Sequence, residues 1–524
     1  MNRNELKDKI QRQITGLECR LIDPNLCEVV TSRTTLAQLC GYLFLDWGIS
    51  FAGLVVEEGA NEWQLRYIFY GEPTVGWIHV LVNAPLTEKT FPSISKFVHA
   101  ADWHEREAED LYGLKFEGHP RLGDFILHDD AWSEGVEPMR RHFDAKKSDA
   151  HRKPDQDWRP HRIVQETGAF VMPVGPKYSG VTESAHFLLE TVGEDVIRAT
   201  CRLFYKWRAI EKLAEGKKAD EVLLVAERFA ATTAFAHGLA FAQAVEAICG
   251  VNIPPRAKAL RVFLAELERL RQHAGAIQEI CESTALVVAN AHAGIFEEDL
   301  LRISCELTGH RYLFGLLKIG GLLCDLPNDA CLNTLNESQK VLEQLNRLEK
   351  KLTVSSSFLD RLEEVGLVSN DRARVYGLLG PIARASGISR DLRRVQPYLD
   401  YEGFKFDVPC EKEGDGYARL RILFAEARQS VRIMEQALEV LKEGSVCASF
   451  QFRPGAALGW VEAPRGGAFH WVRLDENGRV KRYRVVPPSF ANWHGFHLSV
   501  EKFAFQDFPI MLSSFDLSVA ENDR

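Results

Sequence analysis

The feature that most restricts the fold is the stretch "RAKALRVFLAELERLRQHAGAIQEI", residues 256–280. Leu260, Phe263, Leu264, Leu267 and Leu270 recur at helical spacing on one face, and Arg261, Glu268, Arg269 and Arg271 fall on the other. A stripe of that kind is stable only when a neighbour covers it. Further helical periods run over approximately 219–249, 292–318, 334–364 and 415–443. The second half of the chain is therefore expected to be a packed helical core.

The two ends read differently. Over residues 1–145, "LCEVVTS", "SFAGLVVEE", "WQLRYIFYG" and "GWIHVLVNAP" have the length and composition of strands. "SISKFVHAADWHEREAEDLYG" then has helical spacing and stops at Gly113, a natural C-cap. Residues 146–168 are charged, contain proline and lack an apolar pattern, which predicts a linker. A strand pair with a turn at Val192–Asp195 is expected near 181–206, and "LGWVEAPRGGAFHWVRLDENGRVKRYRVV" reads as strands with a hairpin at Asn477–Gly478.

Composition excludes several functions. The 524 residues carry a formal net charge of −9 and no basic stripe, so nucleic-acid binding has no electrostatic support. No apolar run is long enough to span a bilayer; the closest, "TAFAHGLAFAQAVEAICG", holds His237, Gln243 and Glu246. The N-terminus lacks a signal core, so a cytosolic chain is expected, held at any membrane by other subunits. None of the eleven cysteines forms a C-x-x-C pair, and isolated reduced thiols are expected. "GLLGPIARASG" lacks the strand–glycine loop–helix context of a nucleotide site.

Two stretches carry a resemblance. In "WHEREAEDLYGLKFEGHPRLGDFILHDDAWSEGVEPMRR", Glu105, Arg106, Glu107, Asp110, Gly113, Phe116, Gly118, His119, Pro120, Leu122, Trp132, Pro138 and Arg140 resemble the signature of the 30-kDa peripheral-arm subunit of respiratory complex I. "GPKYSGVTESAHF", "IEKL", "VNIPPRAKALRVFLAELERL", "GLLGPIARASGISRDLRRVQPY", "GDGYARLRILFAEARQS" and "EAPRGGAFHW" follow in the order of the large subunit shared by [NiFe] hydrogenases and complex I. Their fusion resembles the hydrogenase-3/hydrogenase-4 type of large subunit. The resemblance implies an α+β docking domain over 1–145 and a mainly α-helical [NiFe]-hydrogenase large-subunit-like (complex I 49-kDa-like) domain with peripheral β-strands over 169–524.

That family's active members hold nickel and iron with two C-x-x-C pairs. Here "RFAATTAFAH" puts Ala230 and Thr233 at the first pair, and "SSFDLSVAENDR" puts Ser518 and Glu521 at the second. Nickel and low-spin iron need thiolate donors, which these residues cannot supply, so the metal is expected to be lost. In the complex I branch a histidine and a tyrosine serve a quinone; Thr182 and Ala231 fall at those positions. What remains around the vestigial cavity (Thr182, Ala230, Ala231, Thr233, Asp516, Ser518, Glu521) is polar. Glu183 resembles the proton-transfer glutamate, Arg465 the arginine above the metal, and His237 closes the first motif. Two readings of these groups stand open: proton transfer or small-anion binding, and an ion-paired network that only holds the fold.

Elsewhere, Arg384, Arg393 and Arg394 are expected to pair with carboxylates or a partner, His273 and His310 to hydrogen-bond locally, Asp415 to start a helix and Arg419 to pack. The expected function is a peripheral large subunit of an ion-translocating, hydrogenase-4/complex I-related oxidoreductase complex, on the cytoplasmic side of the cell membrane. Its expected partners are a small [4Fe–4S] subunit, a ferredoxin-like subunit and antiporter-like membrane subunits, with no cofactor of its own. The alternatives are a quinone-reducing subunit, a non-catalytic scaffold and, last, a working hydrogenase.

Overall fold

The computed structural model describes residues 3–14, 17–128, 131–133, 135–146, 165, 167–177, 183–500 and 503–524. Most of the expected linker and Thr182 lie outside these residues. The chain forms two compact units: Met1–His161 with Leu203–Trp207 and Val375–Gly377, and the remainder of Arg162–Arg524.

The first unit is built on a five-stranded sheet of β1 (Glu18–Asp23), β2 (Leu26–Val30), β3 (Ser50–Glu58), β4 (Glu62–Tyr70) and β5 (Trp77–Pro85), in the order β1-β2-β5-β4-β3. Only β2 and β5 run parallel. Strands β3, β4 and β5 are buried on both faces, which is why they read as near-continuous apolar runs. Helices α1 (Arg3–Gln13), α2 (Arg33–Gly41) and α3 (Asp102–Tyr112) belong to the same unit. The helical period expected from residue 93 starts instead at 102, preceded by a short 3-10 turn at His99–Ala101. Gly113 ends α3 with φ 70°, a left-handed cap that glycine adopts freely.

The acidic face of α3 explains the motif that follows it. One oxygen of Asp110 accepts the backbone N–H groups of Phe125, Ile126 and Leu127 at 2.9, 2.7 and 2.9 Å. Glu109 accepts Gly123 N–H at 2.6 Å. The buried Glu105 accepts from Ser93 Oγ (2.5 Å) and Ile94 N–H (2.8 Å). Burial pushes the Glu105 carboxyl up to about 7, against those two donors and His119. The signature residues thus tie loops to a helix through backbone donors that would otherwise be buried unpaired.

The second unit begins with an antiparallel sheet of β6 (Ala169–Val174), β7 (His186–Val192) and β8 (Asp195–Arg202), extended by Phe503–Ala504 on β8. Its core helices are α4 (Ala219–Arg228), α5 (Ala234–Cys249), α6 (Pro255–Ser283), α7 (Val287–Thr308), α8 (Asn328–Leu352) and α9 (Gly416–Glu439). A three-stranded meander follows, β9 (Gly455–Ala463), β10 (Gly466–Leu474) and β11 (Val480–Val486), then α10 (Pro488–Ser499). Three helical expectations change. The 219–249 run is two helices with a break at 229–233. The 292–318 run starts at Val287 and ends at Gly309, a left-handed cap (φ 80°). The 334–364 run is α8, which begins and ends earlier.

Inside this unit α6, α9 and β9 enclose a charged network. Arg384 pairs with Glu426 (2.6 Å) and Glu462 (2.8 Å), Arg393 with Asp391 (2.7 Å) and Glu266 (2.9 Å), and Arg269 with Glu266 (3.1 Å). His273 Nε2 lies 3.0 Å from Glu426, and Tyr401 and Ser430 donate to Glu266. His273 therefore reaches across to α9 instead of bonding locally. Asp415 caps α9 through Ala418 N–H, and Arg419 donates to the Gly366 and Gly414 carbonyls. His310 accepts from Tyr312 N–H and stacks on Phe314.

Candidate functional site

The break between α4 and α5 is made by a carboxylate from another helix. Glu268 of α6 accepts the N–H groups of Phe235 (2.7 Å) and Ala236 (2.9 Å), the first turn of α5. It caps that helix as an N-terminal side chain would and draws on the same partial positive charge. Arg271, one turn along α6, donates to the Thr232 carbonyl. Burial holds the Glu268 carboxyl up at about 7 in spite of Arg271 and the two amides. The segment Ala230–Ala234 is thereby fixed as a turn, with Ala230 and Thr233 buried and Ala231 exposed.

Arg465 arrives from the opposite side on a two-residue turn. Ala463 pairs with Gly466 at the end of the β9–β10 ladder, so Pro464 and Arg465 form the tip. Asn492 of α10 holds the tip by donating to the Arg465 carbonyl at 3.2 Å. The guanidinium binds Asp516 (3.0 Å), Thr232 Oγ1 (3.0 Å) and Glu521 (3.4 Å). Gln272 of α6 also donates to Asp516, at 3.0 Å. Burial alone would lower the pKa of Arg465, but Asp516, Glu521 and Glu279 raise it, so it stays charged.

Glu521 is the centre of the cluster. Its Oε1 accepts from Thr233 Oγ1 at 3.1 Å and lies 3.7 Å from His237 Nε2. Its Oε2 accepts Ser489 N–H at 3.2 Å, and Ser518 Oγ accepts the Glu521 N–H at 3.2 Å. Burial raises the Glu521 pKa, yet His237 and Arg465 outweigh it and hold the carboxyl down at about 2. His237 continues inward: its Nδ1 is 3.0 Å from His470 Nε2, and His470 Nδ1 is 2.9 Å from the Tyr483 hydroxyl.

The structure thus brings His237, Arg465, Thr233, Asp516, Ser518 and Glu521 together. Glu183 is half-buried, and its charge acts on Arg208, which donates to the carbonyls of Phe229 (2.9 Å) and Asp523 (3.0 Å). It stands one arginine away from the cluster. Among the described residues that were expected to line a cavity, Thr233 and Glu521 are joined directly by a hydrogen bond. A small cavity does lie beside Arg465 and Asp516, walled by Pro381, Arg419, Leu423 and Phe515. Its volume of about 10 Å³ suits one water and not an aromatic ring.

Comparison with known proteins gives this site a context. The family described as "Respiratory-chain NADH dehydrogenase, 30 Kd subunit" matches residues 29–149, and "Respiratory-chain NADH dehydrogenase, 49 Kd subunit" matches 295–450 and 445–524. Formate hydrogenlyase subunit 5 of Escherichia coli (strain K12) is 31% identical over 454 residues, 86% of this chain and 79% of that protein. Hydrogenase-4 component G of the same organism is 30% identical over 453 residues, 86% of this chain and 78% of that protein. The chain belongs to this hydrogenase-4/formate hydrogenlyase family. A fused C/D-type NADH-quinone oxidoreductase polypeptide from Bdellovibrio bacteriovorus is 28% identical over 465 residues, 81% of this chain and 81% of that protein.

A [NiFe] centre does not fit residues whose side chains are a methyl, two hydroxyls and a carboxylate already engaged by Thr233 and Arg465. Among the described residues no group of three or more His, Cys, Asp or Glu side chains is placed to hold a metal ion, and no helix is long and apolar enough to cross a membrane. Sequence reasoning missed His470, Tyr483, Glu268, Arg271, Gln272 and Thr232. The only signal available for His470 was a histidine inside an apolar strand, "GGAFHWV".

Proposed function

We propose that this chain is the peripheral large subunit of a membrane-bound, ion-translocating oxidoreductase complex related to hydrogenase-4 and complex I, with no nickel–iron centre of its own. In this reading residues 1–145 form the docking domain and 169–524 have the hydrogenase large-subunit fold. The pocket around Glu183, His237 and Arg465 couples redox or ligand state to the membrane arm through protons and conformation. The partners are a small [4Fe–4S] subunit, a ferredoxin-like subunit and antiporter-like membrane subunits, on the cytoplasmic side of the membrane.

One observation carries the proposal. At the positions where relatives of the resembled type hold metal, Thr233 and Glu521 bond each other, and Arg465 and His237 close on the same carboxylate. The scaffold is kept while its ligands have become an ionised hydrogen-bonded cluster, which suits proton handling better than metal chemistry. A quinone-reducing role is the second reading, favoured by the relatives named as C/D-type NADH-quinone oxidoreductase polypeptides.

The test uses the assembled complex. Glu183→Gln with Arg465→Met is expected to uncouple ion transport from turnover, and metal analysis of the purified chain is expected to give no stoichiometric nickel. Unchanged transport in the double variant would remove the coupling role. Nickel at one equivalent would overturn the reading entirely.

A further inference from the structure

Tyr483, His470 and His237 form a line of buried side chains joined by two hydrogen bonds. Tyr483 and His470 are both fully buried, on adjacent strands β11 and β10, and His237 is fully buried on α5. Among the described residues, the Tyr483 hydroxyl has one side-chain partner, His470 Nδ1 at 2.9 Å. Burial first, and then the charge of Glu211, keep this phenol protonated. It must therefore donate, and His470 Nδ1 must accept.

The consequence passes along the line. Burial first, and then the charge of Arg524, keep His470 neutral, so with Nδ1 accepting, its single proton sits on Nε2. That Nε2–H faces His237 Nδ1 at 3.0 Å and donates to it. His237 must then carry its own proton on Nε2. The opposite arrangement would leave the phenol without an acceptor and, for a neutral His237, aim its Nε2 lone pair at the ionised Glu521. The charges facing His237 from the surrounding elements agree: Glu521 lies in front, with Arg465 behind it, and the Phe229 ring lies tilted against the imidazole at 4.5 Å.

His237 Nε2 is itself unspent. It makes no hydrogen bond, because Glu521 Oε1 is 3.7 Å away, beyond hydrogen-bond reach. A buried donor left unpaired is destabilising unless something occupies the position it points to.

We propose that Tyr483 and His470 are positioning residues that lock His237 as the Nε2–H tautomer, so that a buried imidazole N–H is held facing Glu521 and Thr233. This rests on the proposed function only in taking the Glu521 cluster as the functional site. The hydroxyl and two imidazoles then act as a one-way chain of donors that sets which proton the site offers. No residue of the chain gains or loses a proton in this resting arrangement.

The experiment is nitrogen-15 NMR of the full chain with labelled histidine, in which each imidazole tautomer has its own pair of nitrogen shifts. His237→Gln identifies the His237 signals. In the unsubstituted protein His237 and His470 are both expected as Nε2–H tautomers at neutral pH. His470→Gln, whose amide N–H replaces the donor, is expected to keep His237 in that form. His470→Leu is expected to lose it, giving a mixture or the Nδ1–H form. Tyr483→Phe, which removes one oxygen, is expected to release His470 in the same way and serves if His470→Leu does not fold. An Nδ1–H signal from His237 in the unsubstituted chain would overturn the proposal, as would an unchanged His237 in both His470→Leu and Tyr483→Phe. Failure here leaves the transport result of the Glu183/Arg465 variant untouched, and failure there leaves the tautomers as found.

Discussion

The second unit holds two buried ionic groups that differ in how they are supported. The network of Glu266, Arg269, Arg384, Asp391, Arg393, Glu426 and Glu462 is anchored largely on long helices and a strand, with five ion pairs of 2.6 to 3.1 Å and a sixth, Arg384–Asp391, at 3.7 Å. The cluster around Glu521 is held by the ends of elements: the start of α5, a hairpin tip and the last turn of the chain. It has fewer close ion pairs, at 3.0 to 3.7 Å, and each group leaves a buried nitrogen unbonded, His237 Nε2 here and Arg384 Nη2 in the network. A tightly paired network specifies a fold, since breaking a pair leaves a bare charge in the interior. A cluster on element ends can rearrange without moving the core. The difference separates charge that holds the structure from charge that is available for use.

The comparison can be broken by stability measurements. Arg384→Met leaves Glu426 and Glu462 short of a cation and is expected to destabilise the protein by about 3–5 kcal/mol in urea unfolding. A loss below about 1 kcal/mol would mean the core network is not structural. Glu521→Gln should have a smaller effect, about 1–3 kcal/mol at pH 7, because Arg465 keeps Asp516. If it matched Arg384→Met, the distinction between the two groups would fall.

Acid sharpens the same contrast. The folded pKa of Glu521, about 2, lies below the unfolded value of roughly 4.3. Its contribution is therefore complete above pH ~4.3 and fades as the pH falls towards 2. The stability difference between the unsubstituted chain and Glu521→Gln should shrink across that window and stay flat above it. The smallest expected change is Thr233→Val, about 1 kcal/mol for one hydrogen bond between neighbours of equal shape, with Glu521 still held by Arg465 and Ser489.

Much of the fold was legible. β3 lies at 50–58 and β5 at 77–85, close to the apolar runs that predicted them, and α6 spans the stripe from Leu260 to Leu270. Boundaries failed where a distant residue decided them. Nothing local between 219 and 249 shows that Glu268 will take the amides of Phe235 and Ala236 and start a new helix there. β6 went unread because "AFVMPV" is short and contains a proline.

The site was legible in part for the same reason. Thr233, Glu521, His237 and Arg465 could be named from motif positions, although Thr233 and Glu521 are 288 residues apart. His470 and Tyr483 could not, since a histidine and a tyrosine inside strands look like core residues until their partners are seen. The gathering of polar groups around Glu268, Arg271 and Gln272 on α6 was hidden by their places on what reads as a solvated face.

Two residues with no side chain set the reach of Arg465. Gly380 (φ 64°) lies against the β9–β10 tip so closely that a methyl group there would collide with the Arg465 carbonyl, and one at Gly466 (φ 132°) would press on the Gly380 backbone. For anyone redesigning the pocket, this inverts the usual priorities. The polar residues are the interchangeable parts, while the pair of glycines is the hinge pin, and a library that varies Thr233 or Ser518 should leave positions 380 and 466 alone.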